Sequence, residues 1–528
     1  MLNNVKDFGA SGNGVSDDRV AIQTAIDEAI AHNKSGIFFP AGTYRVSRVN
    51  TPGGRWSLDL NGARDFVVGG EGPKSVVKLM DTSAATGDWH VFILRNDCRR
   101  MVFSDLVIDG NRLGLTNPDE QSHGIEVEGG TEDLLIDRCV LRDCFGDGVR
   151  LLGTAAAGKN VKRVRITNCL FQTNKRSGLG IQRALEQIVV SHCTFDATVS
   201  DQDIDFEPSG SDVPTDLLIQ GCIINHTNAS VAVSLSGIGG ANPLLRCKFT
   251  DNIVLGGQVF CTDVDQLTVQ NNVVVVPNGG DKNRVPLQVQ RGGESLLISG
   301  NLLVNECAAT EAVLSLSEVN QRQVSRALVA GNLCLTRAGR GIQCLSSDDV
   351  AIQGNMVVAT GPCAAGIFVR SESSSVDGMS IRDNDVTVKG TGSWESGIRL
   401  AASAPHKIGH VSVVANSVKG AAEGIAFAGP GYLQTPVCAL NRIDAAVASP
   451  VVGIGNLPED ALVVGGAASR GGVTAGSGAG RFITGLGDPN AKVSGNVGDI
   501  FQRIDGGAGS SFYVKESGNG SNAGWASK

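Results

Sequence analysis

Positive charge in runs, long apolar stretches and aromatic side chains are what this 528-residue chain has little of. No cluster of Lys or Arg stands out and the net charge is −8, which argues against a nucleic-acid partner. No apolar run approaches membrane-spanning length, so insertion into a bilayer by a helix is not expected. The opening MLNNVKDFGASGNG has no apolar core of a signal peptide, so the expectation is either an export signal that was removed or release from a cell by another route, such as lysis. Only 4 Trp and 3 Tyr occur, too few for a binding groove paved with aromatics. The 13 Cys are odd in number and spread through a long chain, which does not read as a disulfide framework. Glycine is abundant instead: 69 of 528 residues, roughly twice ordinary usage. A lean chain rich in Gly, Val, Ile and Leu suits short strands joined by tight turns.

A repeat organises these strands. Segments ending IDRC (Cys139), ITNC (Cys169), VSHC (Cys193) and IQGC (Cys222) continue as FTDN (Asn252), VQNN (Asn272), ISGN (Asn301) and VAGN (Asn332). The series ends with IQGN (Asn355), IRDN (Asn384), VVAN (Asn416) and CALN (Asn441). Eleven steps from residue 139 to residue 441 give a period of about 27 residues, that of a solenoid. Stacked coils lie ~4.8 Å apart, so each repeat position forms a column. A buried Asn column can satisfy itself coil to coil, and Cys, small and tolerant of burial, can replace it. The Cys are therefore read as buried free thiols.

A second series follows: HGIEVEG (123–129), DGVRLLG (147–153), SGLGIQR (177–183), QDIDFEP (202–208) and VAVSLSG (231–237). Its strict alternation turns Ile125/Val127, Val149/Leu151, Leu179/Ile181 and Ile204/Phe206 inward. The fold expected is an all-β, right-handed parallel β-helix of about a dozen coils over residues 51–455. Residues 1–50 form its cap, with a helix over 16–32 capped by Ser16 or Asp17 and an apolar stripe of Val20, Ile22, Ala25, Ile26 and Ile30. Residues 456–528 read as a Gly-rich linker and a small β module, with IFQRI and SFYVKE as strands.

The run VKDFGASGNGVSDD, then a helix, then FFPAGTY, together with FSDLVIDGNR (103–112), resembles the pectate-lyase-like β-helix superfamily, which includes polygalacturonase-type enzymes and bacteriophage tailspike depolymerases. The polygalacturonase catalytic pattern is not present in order. The tail resembles modules of phage fibres. These likenesses imply a polysaccharide substrate, a homotrimer, and a place in a phage tail or outside the cell.

The outward columns hold the candidate chemistry: Glu126, Arg150, Gly180, Asp205 and Ser234 in one, and Glu128, Leu152, Gln182, Glu207 and Ser236 beside it. Asp203, Asp205 and Glu207 alternate along one strand, ~6.6–6.8 Å apart, near the carboxyl spacing of inverting glycosidases. Crowded acids also raise one carboxyl's pKa. The expectation is therefore endo-hydrolysis by Asp205 and Glu207, with Asp203 tuning them and no metal required. Gly180 leaves a gap for a sugar ring. Glu126, Glu128, Asp147, Arg150, Gln182, Arg183 and His123 are expected to bind substrate as a separate cluster, ~14 Å away along the column. The alternatives are a polysaccharide lyase assisted by Ca²⁺ on a uronate glycan, in which Arg150 or Arg183 neutralises the uronate, and a non-catalytic glycan adhesin.

Overall fold

The computed structural model describes residues 1–49, 54–83, 87–153, 159–196, 201–208, 214–226, 231–239, 242–278, 284–307, 312–389, 393–429, 437–444, 447, 449–452, 462–465, 472–475, 482–503 and 505–528. The chain divides into two units, residues 1–287 and 288–528.

In the first unit each coil gives one short strand to each of three parallel sheets. One coil runs Glu132–Asp137, Val140–Arg142, Val149–Leu152, and the next Val161–Thr167, Leu170–Gln172, Leu179–Gln182. A further coil adds Leu185–Ser191, Thr194–Asp196 and Ile204–Phe206. Pairing between these coils is in register, with Ile136 on Ile166, Leu141 on Phe171 and Leu151 on Ile181. The inward positions are sealed: Ile125, Val127, Val149, Leu151, Leu179, Ile181, Ile204 and Phe206 are all buried.

The helix spans Arg19–Ala31 and buries Ile22, Ala25, Ile26 and Ala29. This differs from the expected stripe: Val20 is 62% exposed and Ile30 only half-buried, because the covered face follows the 3.6-residue period from Ile22. Neither Ser16 nor Asp17 is the N-cap; Asp18 is, and its carboxylate instead accepts the Ser11 and Gly12 backbone N–H groups at 2.7 and 3.0 Å.

The corner between the first and second strands of a coil explains the polar residue ahead of each Cys or Asn. That residue lies in the left-handed region (Asn168 φ 54°, His192 φ 54°, Gly221 φ 64°, Asp251 φ 57°), where Gly, Asn and Asp are least strained. The corner side chain then turns inward. All 13 cysteines are free and buried, as the repeat implied.

The second unit repeats the plan. Gly293–Ser299, Leu302–Asn305 and Ala312–Ser317 pair in parallel with Val324–Ala330, Leu333–Thr336 and Gly339–Leu345. Its corner column is a complete Asn ladder. The Asn332 backbone N–H donates to Asn355 Oδ1 at 2.9 Å, and its side-chain amide donates to Asn355 Oδ1 at 2.9 Å and to Ile298 O at 3.0 Å. Asn355, Asn384, Asn416 and Asn441 continue the pattern. The unit ends in a small sheet, in which Ile500–Arg503, Phe512–Lys515 and Trp525–Ser527 pair antiparallel around Phe501, Tyr513 and Trp525.

Candidate active site on the third sheet

The outward column expected from alternation is present in register: Glu126 on Arg150, Arg150 on Gly180, Gly180 on Asp205, Asp205 on Ser234. Beside it Glu128, Leu152 and Gln182 are paired, and Glu207 follows directly after the strand Ile204–Phe206. A further column stands just ahead of these strands, where His90, His123, Asp147 and Ser177 are all buried. The His123 backbone N–H donates to His90 Nδ1 at 3.3 Å, and the Asp147 backbone N–H donates to His123 Nδ1 at 2.8 Å. The two imidazoles stack with centroids 5.2 Å apart.

Outward does not mean solvated. Glu126 is 1% exposed, Asp147 0% and Asp205 6%, while Glu207 is open to solvent. Asp203 leaves the expected trio: it is wholly buried, with its carboxylate 2.8 Å from His226 Nδ1. The gap at Gly180 is not vacant either. Asp147 fills it, since a Cβ on Gly180 would lie 2.4 Å from Asp147 Oδ2. Glu207, beyond the end of the strand Ile204–Phe206, takes its hydrogen bonds from Arg176 and Gln182.

The two expected clusters are one network, and Arg176, which the repeat did not mark, joins them. Arg176 Nη1 is 3.5 Å from Asp147 Oδ2, and Arg176 Nη2 donates to Glu207 Oε2. Gln182 Nε2 donates to the same Glu207 oxygen at 2.6 Å, and Arg150 Nη2 donates to Gln182 Oε1 at 2.6 Å. Arg150 Nη1 lies 3.6 Å from Glu126 Oε1. Glu128, half-buried, is 3.5 Å from Arg55 Nη2. Arg183 turns the corner after its strand at φ 64°.

Burial sets the protonation of this network. It pushes the Glu126 carboxyl up to about 7 against the pull of Arg150, and the Asp147 carboxyl up to about 7 against Arg176 and Arg150. Burial, then the charges of Glu207 and Asp147, push Asp205 up to about 8. Burial would raise Glu207 too, but the Arg176 guanidinium outweighs it and holds Glu207 below the ordinary carboxylate range. Thus Asp205 keeps the proton and Glu207 the charge. Burial, then Arg55, lowers His90 to about 3, and burial holds His123 well below the usual imidazole value, so both rings are neutral. With each Nδ1 accepting a backbone N–H, the ring proton sits on Nε2.

Among the described residues, the side chains able to converge on a cation are His90, His123 and Glu126, whose ligand atoms lie within 4.8 Å of one another. The surroundings do not fit one: both Nδ1 atoms accept backbone N–H groups, and the Arg150 guanidinium stands 3.4 Å from His123 Nε2, where a cation would be repelled. The polar atoms point to a ligand instead. His90 Nε2, Glu126 Oε2, both Asp147 oxygens, Arg150 Nε, Arg176 Nη1 and Ser177 Oγ are buried without a well-formed hydrogen bond to the described residues. Buried polar groups are rarely left so, and their concentration marks a site rather than a core.

Two family models match: "Rhamnogalacturonase A/epimerase, pectate lyase-like" over residues 2–53, and "Right handed beta helix region" over residues 91–274. The chain has the pectate-lyase-like right-handed β-helix fold. This β-helix is 35% identical over 154 residues to mannuronan C5-epimerase AlgE4 of Azotobacter vinelandii, covering 28% of this chain and 27% of that one. It is 37% identical over 121 residues to alginate lyase 7 of the same organism, covering 21% and 13%. The β-helix thus spans about a quarter or less of the length of these curated relatives. Tailspike protein 3 of bacteriophage CBA120 superposes with a TM-score of 0.45 at 15% identity, over 78% of this chain and 59% of that one.

Alternation placed Glu126, Arg150 and Asp205 correctly. His90 was legible too: HVFIL aligns one coil before HGIEV, and its register runs on unbroken. Arg176 had no such signal, because it sits in a turn and acts through the reach of its side chain.

Proposed function

We propose that this β-helix acts on a uronate-containing polysaccharide by removing the C5 proton next to the sugar carboxylate, as a lyase or C5-epimerase. This replaces the hydrolase expectation. The observation that carries it is the pair Glu126 and Asp147: two buried carboxyls, both titrating at about 7, on neighbouring coils beside Arg150 and Arg176.

A C5 proton is acidic only when the adjacent carboxylate is neutralised. Arg150, with a planar fork of donors, is suited to that, assisted by the acid form of Glu126. Asp147, poised near neutral pH and with both oxygens available, is suited to take the proton. The imidazoles serve as Nε2–H donors to substrate oxygens rather than as bases. A proton returned from water to the opposite face of C5 completes epimerisation, and departure of the C4 oxygen, which takes up a proton to become a hydroxyl of the released chain, completes elimination. The names of the two relatives, a C5-epimerase and an alginate lyase, support proton abstraction. Hydrolysis by Asp205 and Glu207 is disfavoured, since Asp205 is buried and Glu207 is already engaged by Arg176 and Gln182.

The test is incubation with polymannuronate and polygalacturonate in deuterated water. Deuterium at C5, or ultraviolet absorbance of an unsaturated uronate, is expected. New reducing ends with neither signal would make it a hydrolase.

A further inference from the structure

Four side chains from successive coils close a hydrogen-bonded strap over Asp147. Arg150 donates to Gln182, Gln182 and Arg176 both donate to Glu207 Oε2, and Arg176 reaches back to Asp147. The two ends of the Arg176–Glu207 pair are not alike. The Arg176 side chain is 10% exposed, packed at the floor, whereas that of Glu207 is 45% exposed. The guanidinium is anchored, and the carboxylate reaches in to it from the solvent side. The Asp147 carboxylate, beneath, makes no well-formed hydrogen bond to the described residues.

We propose that Arg176 is a carboxylate subsite for a uronate of the polymer, and that Glu207 is its resident stand-in, displaced when the sugar carboxylate binds. This rests on the uronate reading above. A carboxylate from the substrate reproduces what Glu207 gives Arg176, so the exchange leaves no buried cation unpaired. A neutral sugar offers no such replacement; Glu207 stays, and the strap remains closed over Asp147. Glu207 is then a specificity-determining residue and not a catalytic acid, and the site selects acidic glycans before any bond changes.

The experiment is calorimetric titration of the full chain, wild type and Glu207→Gln, with short oligomannuronate and oligogalacturonate and with their methyl esters, alongside turnover of the free acids. Removing the competitor should tighten binding of an acid form by about tenfold or more, the worth of one charge-assisted hydrogen bond, and lower its KM, with no gain for the ester. Arg176→Gln should weaken the acid form and leave the ester as it was. Equal or weaker binding by Glu207→Gln overturns the proposal, as does binding of no oligouronate by either protein. Turnover abolished at unchanged binding also overturns it and makes Glu207 a catalytic acid. Tightened binding with no product and no C5 exchange from wild type would sink the reaction and leave the subsite standing.

Discussion

Two stretches of the third sheet use one scaffold differently. Over residues 90–207 the outward face buries charge, with Glu126 and Asp147 at or near zero exposure and Arg176 close behind. In the second unit the outward register Ser315, Gln343, Phe368, Arg399, Ala426 buries neutral groups, and Arg340 caps the Phe368 ring at 4.1 Å. Its charges, Arg399, Glu395 and Glu423, stay 34%, 74% and 35% exposed. A coil therefore closes without buried charge. Burying a carboxylate costs several kcal/mol unless it is well paired, and Asp147 is not. A local rule broken without a structural return marks function. The corners differ as well: the site coils turn on Cys139, Cys169, Cys193 and Cys222, whereas the second unit turns on Asn.

The comparison breaks first at the carboxyls. Asp147→Asn and Glu126→Gln should each lower turnover by about 10²–10⁴-fold, measured as C5 exchange or elimination. Stability should move the other way. Both carboxyls titrate at about 7 in the folded chain, above their ordinary 3.8 and 4.5, so the folded state holds these protons more tightly than the unfolded one. Their contribution is fully present below about pH 4 and is lost as the pH rises to about 7. Melting temperatures of wild type should fall over that window, and Asp147→Asn should flatten the fall and melt higher at pH 8. A variant that melts lower at pH 8 would make Asp147 a structural anchor.

The corners come next. Asn384 donates its side-chain amide to Ile352 O at 2.9 Å and to Asn416 Oδ1 at 2.8 Å, and accepts the Asn355 backbone N–H at 2.9 Å. Asn384→Ala leaves buried backbone groups unpaired and should cost roughly 2–5 kcal/mol. The Cys193 thiol makes weak sulfur contacts, 3.5 Å to Ile166 O and 3.4 Å to Ser191 O, so Cys193→Ala should cost about 1 kcal/mol, chiefly in lost packing. Denaturant midpoints check both. Equal losses would mean that the Asn ladder is packing rather than hydrogen bonding.

Gly180→Ala sharpens the comparison at a single atom. The new methyl must displace the Asp147 carboxylate, 2.4 Å from where it would stand. Turnover should drop by about 10–100-fold, with a stability loss of about 1–2 kcal/mol. Full activity would show that Asp147 does not work from the position over Gly180.

What the sequence disclosed follows from periodicity. The 27-residue repeat and the alternation of two put Glu126, Arg150, Gly180 and Asp205 in one column, because register in a parallel stack is fixed by the pattern itself. Periodicity is silent about where a long side chain goes. Asp147 swings over Gly180, and Arg176 bridges two coils from a turn. Each depends on side-chain reach and on burial of outward positions, and the expected open trio with Asp203 failed for that reason. Asp203 instead meets His226, a residue one coil away that shares no repeat position with it.

The smallest effect belongs to the second unit. Glu423 accepts the Ser396 hydroxyl at 2.7 Å and lies 4.0 Å from Arg399 Nη1. With about a third of its side chain in solvent, that ion pair is worth little, since exposed pairs contribute about 0–1 kcal/mol. Glu423→Gln retains an acceptor for Ser396 and removes only the charge. It should shift the denaturant midpoint by no more than the equivalent of about 0.5 kcal/mol and leave turnover and oligouronate binding unchanged. Burial decides the contrast: the same Glu-to-Gln change at Glu126 deletes a proton site held out of water, whereas at Glu423 it deletes a charge that water already screens. If Glu423→Gln cut turnover as deeply as Asp147→Asn, chemistry would reside in the second unit too, and buried charge would no longer mark the active coils.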